Sequence, residues 1–137
     1  MDAFVAGAFA AVVSGVPSTA HALLTGRNPF DASLAAGTLL LPGERRWQRL
    51  LPAAIAAHAV LSLGWACALA MLLPRRRSVE AAALAGLAIA ALDLGLVGRH
   101  FPRIRALPLL PQVLDHVAYS VAVDAVLQAR RGRRRER

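Results

Sequence analysis

The chain has 137 residues, 57% of them apolar, and a formal charge of +8 from 16 arginines set against 8 acidic residues, with no lysine. That length bounds it to one compact domain, and a mean hydropathy of +0.51 is too high for an ordinary soluble one. Every arginine falls in a connection or in the tail, beside an apolar run. There it reads as an interface anchor and a contact for anionic lipid headgroups, so nucleic acid is not expected as a partner.

Four apolar stretches follow one another, at residues 3–24, 50–73, 79–98 and 112–128. Each approaches the ~20 residues that cross a bilayer as a helix. In the first, Gly15-Val16-Pro17 and Ala20-His21-Ala22 together mimic a signal-peptide cleavage site. Asp2 follows Met1 and no basic residue precedes the apolar run, so the segment reads as a retained helix. Pro17 removes a backbone donor and predicts a kink near Val13 and Ser14. Gly7, Ala11 and Gly15 recur every four residues and let another helix come close. Ser14, Ser18, His21 and Thr25 form a second stripe on a different face.

Residues 25–49 form the longest connection. Asn28-Pro29-Phe30-Asp31 reads as a turn, and Asp31 can cap a short helix over residues 31–41. Such a helix is too short to span, so it is expected to be interfacial or re-entrant. Glu44, Arg45, Arg46, Trp47 and Arg49 then form an interfacial band. In the second span Pro52 is tolerated in the first turn. His58, Ser62 and Trp65 share one face, and Cys67, the single cysteine, reads as a small buried apolar residue. Pro74 with Arg75, Arg76 and Arg77 stops it. The third span carries Ala82, Gly86 and Ala90 at four-residue steps, with Asp93 about a turn further on. Pro102, Pro108 and Pro111 make residues 99–111 irregular. In the fourth span Asp115 and Tyr119 share one face, while His116, Ser120 and Asp124 share the next. Residues 130–137, with six arginines, read as a basic solvated tail on a single bundle of residues 1–129. The tail and the triple arginine place both termini on the cytoplasmic side.

An ionisable group in hydrocarbon is costly, so each one marks a site to be explained. At 1.5 Å per residue, His21, Asp93 and the Asp115–His116 pair lie roughly 5–7 Å from the non-cytoplasmic ends of their helices, and His58 roughly 12 Å. All four spans thus deliver His or Asp to the same half of the bilayer. The expected centre is a His58–Asp93–His116 network, with Asp115 and His21 beside it. Asp115 is also favoured by capping at a helix start. Asp124 lies toward the opposite end, where Arg130 or the tail can neutralise it. The same groups permit three uses. They can be interhelical polar bonds, a site that binds or relays a proton, ion or small ligand, or a metal or haem site built on His58, His116 and Asp93. No cofactor is required by the residues, since no HxxxH, HExxH or ExxH spacing is present. No nucleotide-binding loop or nucleophile–base pair is recognisable, so catalysis is not expected. The two small-residue stripes are candidate faces for a homo-oligomer or a membrane partner.

The order of these pieces resembles the YagU-like families, bacterial four-helix membrane proteins of unknown function. The resemblance rests on Gly15 and Pro17, on His58 with Ser62 and Gly64, on Gly86 with Pro102, and on His116 with Tyr119 and Ser120. It covers nearly the whole chain. It departs at the end of the last helix, where the family pattern has Gly and this chain has Ser120 and Asp124. It implies a bundle in the bacterial cytoplasmic membrane, tied to acid tolerance, and no particular reaction. The fold expected is all-α, a four-transmembrane-helix bundle with one extra short helix.

Overall fold

A computed structural model describes residues 1–74 and 78–135, the last two of these as backbone alone. Every described element is helical: α1 (Asp2–Val13), α2 (Val16–Leu24), α3 (Asp31–Gly37), α4 (Trp47–Leu72), α5 (Val79–Ala90), α6 (Pro102–Arg105) and α7 (Leu109–Arg135). A π-helical segment, Ala91–Val97, and a 3-10 turn, Gly98–His100, continue α5. Arg75, Arg76 and Arg77, expected to stop the second span, lie outside the described residues.

Three continuous stretches are long and apolar enough to cross a membrane: Asp2–Leu24, Trp47–Leu72 and Val79–His100. Only 22–28% of each apolar window is buried within the chain. Phe4, Val12, Val60, Met71 and Leu84 all point outward. Apolar surface left in water costs roughly 25 cal/mol per Å², so these outward faces suit lipid. Three such helices point to a membrane protein.

The break expected from Pro17 is a two-residue interruption at Ser14 and Gly15, which divides α1 from α2 within one continuous apolar stretch. The connection holds α3, which is shorter than expected, seven residues ending at Gly37. Gly37 packs directly on the Leu50 carbonyl, and no side chain fits between them. Glu44 folds back on the next turn. The backbone N–H of Arg46, its guanidinium and the backbone N–H of Arg45 hold the Glu44 carboxyl down to about 2.

The helix expected to start near Gln112 begins at Leu109 and runs on to Arg135. Pro111 does not prevent this, because the first turn of a helix needs no donor there. The first part of the expected tail is therefore helical. Arg130 Nη1 reaches Asp2 Oδ1 at 3.4 Å. Arg131 donates to the Ala70 and Pro74 carbonyls at 3.5 and 3.3 Å, capping the end of α4.

α7 is the hub, packing on α5, α1, α2 and α4, while α1 also packs on α4. Ala6, Ala10, Ala66, Leu69, Ala82, Ile89, Tyr119, Val123 and Leu127 form the core. The core is built from small residues, so backbones approach closely. A Cβ on Gly86 would lie 2.7 Å from Val117 Cα, and one on Gly7 would lie 2.9 Å from Ala66 Cβ. Both expected stripes thus supply packing within the chain: Ala82, Gly86 and Ala90 against α7, and Gly7 against α4. Cys67 is exposed, a correction to its expected burial. It lies one position past the core residue Ala66, a rotation of about 100° on a helix.

Candidate functional site

Asp93 owes its position to the end of α5. Two glycines, Gly95 and Gly98, weaken the α-helix here, and the backbone widens to i→i+5 bonds, with Gly98 N–H donating to the Asp93 carbonyl. A π-segment holds an extra residue per turn and re-aims side chains, often at functional positions. The Asp93 carboxylate is thereby set over α7 and across from α4. Trp65 Nε1 donates to Asp93 Oδ2 at 3.0 Å, and His116 Nε2 lies 3.5 Å from the same oxygen. The side chains of Asp93 and His116 are 22% and 21% exposed, so the pair is largely but not wholly enclosed.

The second nitrogen of His116 defines the chemistry. Nδ1 lies 2.7 Å from the Gln112 carbonyl oxygen, which can only accept, so the network assigns the hydrogen to Nδ1. In a neutral imidazole Nε2 is then an acceptor. Facing an ionised carboxylate, it would place two lone pairs against each other. One additional proton, on His116 or on Asp93, turns that repulsion into a charge-assisted or neutral bond. Trp65 and His116 thus meet the Asp93 carboxylate at one and the same oxygen.

The remaining expected residues have other partners. His58 is exposed, and its Nε2 sits 3.0 Å from the Ala11 carbonyl. That carbonyl belongs to the last turn of α1, whose acceptors have no partner within their own helix. His58 is within electrostatic reach of Asp115. Asp115 Oδ1 accepts the Ser18 backbone N–H at 2.9 Å, one of the orphan donors that open α2. The capping role expected of Asp115 is therefore played across the bundle, on α2. Its own helix starts six residues earlier. His21 lines a cleft beyond Ser18. Asp124 is 3% exposed and takes its hydrogen bond from Gln128 Nε2 at 3.1 Å, while Arg130, the partner expected for it, goes to Asp2. Gln128 also donates to the Pro74 carbonyl, tying α7 to the end of α4. Tyr119 Oη donates to the Ser62 carbonyl in the core.

The structure thus brings together Asp93 and His116 out of the expected trio, and puts Trp65 where His58 was expected. The signal for Trp65 was its place on the His58 face, two turns along. Its role escaped the sequence because an indole is usually an interfacial anchor. Among the described residues no three His, Cys, Asp or Glu side chains gather as a metal-ligand set. No family model matches the chain, and neither does any curated protein or solved structure.

Proposed function

We propose that this protein is a four-span bundle of the bacterial cytoplasmic membrane whose Asp93–His116 pair binds and releases a proton within the bilayer. The observation that carries the reading is His116 itself: one ring nitrogen commits its hydrogen to Gln112, and the other meets a carboxylate that only a further proton reconciles. The proton sits in a site gated by α4 through Trp65 and re-aimed by a π-turn. Proton relays through intramembrane Asp and His use the same chemistry.

α7 is the fourth span of this reading. Its 27 residues extend ~40 Å, and Tyr119, Ser120 and Asp124 are buried among the other helices. Its polar groups therefore need not face lipid. α3 is the extra helix at the interface. The start of α1, the end of α4 and the end of α7 share one end of the bundle through Asp2, Pro74, Gln128, Arg130 and Arg131. Along the sequence nine arginines follow the second and fourth apolar stretches against seven in the other two connections, which favours the cytoplasm for both termini. The likeness to the YagU-like families supports a bacterial membrane.

The test uses Asp93→Asn. An asparagine removes the ionisable carboxylate at nearly unchanged size, and its oxygen in the place of Oδ2 keeps the Trp65 bond while offering His116 no proton. In proteoliposomes carrying an internal pH dye, the wild type is expected to pass protons at least tenfold faster than Asp93→Asn, at equal thermal midpoint. Equal flux in the two proteins ends the proton reading. A lowered thermal midpoint in both Asp93→Asn and His116→Gln, with proton flux unchanged, makes the pair an interhelical strut of a kind worth under ~2 kcal/mol.

A further inference from the structure

A second polar feature lies at the opposite end of the bundle from Asp2 and Arg130. A cleft of about 250 Å³ opens between the end of α2, the start of α3, α6 and the start of α7. Its charged and titratable lining is Arg27, Arg103, His21 and Asp31. Leu34, Leu107 and Pro108 supply apolar walls, and Gln112 and Ser18 form its inner side. Asn28 is committed, since its Oδ1 takes the Phe30 N–H. Among the described residues neither the Arg27 nor the Arg103 guanidinium has a hydrogen-bond or ion-pair partner, and Asp31 pairs with neither. The cleft is therefore a cationic concavity with donors left over, of net charge +1 with His21 neutral.

We propose that this cleft is a binding site for a phosphate group, held between Arg27 and Arg103. A guanidinium presents a planar fork of donors that matches phosphate oxygens two at a time, and two arginines lining one cleft can together serve a tetrahedral oxyanion. The volume falls below the ~300–1,000 Å³ that suits drug-sized ligands, so the occupant is small. The apolar walls favour a group carried on a short glycerol or alkyl stem. Two sources offer that chemistry at the end of a membrane bundle: a phospholipid headgroup, or a free phosphate or phosphomonoester from solution. The site stands apart from the Asp93–His116 pair and does not depend on proton transfer there. It does share a wall with it, because Ser18 holds Asp115 and Gln112 holds His116.

The experiment compares the full chain with R27Q/R103Q, and with R45Q/R49Q as a variant of equal charge loss on the interfacial turn. Both arginines of the cleft are exposed, so R27Q/R103Q is expected to keep the wild-type thermal midpoint. Delipidated protein in neutral detergent is titrated with inorganic phosphate and read by ³¹P line broadening. In parallel, nanodiscs of phosphatidylglycerol in phosphatidylcholine are used to count lipid retained after detergent exchange, by native mass spectrometry. The expected result is at least a tenfold loss of phosphate binding, or loss of retained phosphatidylglycerol, in R27Q/R103Q and not in R45Q/R49Q. Asp31→Asn should tighten binding two- to threefold. A response to phosphate alone assigns the free ion, and retention of lipid alone assigns the headgroup; either supports the site. Wild-type protein that answers to neither probe, or equal losses in the two double variants, overturns it.

Discussion

At the scale of single residues, the polar groups divide by what they satisfy. His58 and Asp115 serve backbone atoms, one at the end of α1 and one at the start of α2. The turn at Ser14 and Gly15 creates those orphans within the first apolar stretch, where a bilayer would offer no water to satisfy them. Asp124 is a third case, a carboxylate 3% exposed that accepts a hydrogen bond from Gln128. Replacing Gln128 by Ala removes that donor and the tie to Pro74 together. A buried acceptor left unpaired costs about 1–3 kcal/mol. Gln128→Ala is therefore expected to lower the thermal midpoint by several degrees, and Asp124→Leu in the same background to recover much of it. No recovery in the double variant would mean that Gln128 acts through Pro74 alone.

Among the elements, close approach does most of the work. α5 and α7 touch at Gly86, where an added methyl would meet Val117 Cα at 2.7 Å and the His116 carbonyl at 2.8 Å. Backbone does not yield as a side chain does, so the helices must part. Gly86→Ala is expected to cost about 1–3 kcal/mol and to push His116 away from Asp93. Thermal denaturation checks the first effect. The second is read by ¹⁵N imidazole shifts of His116, which should move toward those of an unpaired ring. Unchanged shifts with a lowered midpoint would detach the pair from the helix contact. Helix positions were largely legible from apolar run length and from proline placement. The π-segment was not. Gly95 and Gly98 permit it, but the contact of Asp93 with Trp65 and His116 lies across three helices and leaves no local pattern.

For the molecule as a whole, the accessible surface of 8537 Å² exceeds the roughly 6,900 Å² expected of a compact soluble monomer of 14.5 kDa. Large apolar side chains such as Phe4, Val12, Val60, Met71 and Leu84 face outward from α1, α4 and α5. A bilayer accounts for that surface. Cys67 is a built-in reporter, since it is the single cysteine and exposed on α4. In native membranes it should resist a membrane-impermeant maleimide and react fully once the protein is denatured. Rapid labelling of intact membranes would place that face of α4 in water.

Run length, hydropathy and the sites of Pro and Gly are local properties, so the helical class, three of the spans and the break near Ser14 could be read along the chain. Rise per residue also gives each of Asp93, Asp115, His21, His58 and His116 an expected depth along its own helix. Which of those groups meet is a matter of how the helices turn about their own axes. That rotation follows from where Gly7, Gly37 and Gly86 let backbones touch and from the extra residue in the π-turn. It puts Trp65, not His58, on Asp93, and no spacing in the chain encodes it.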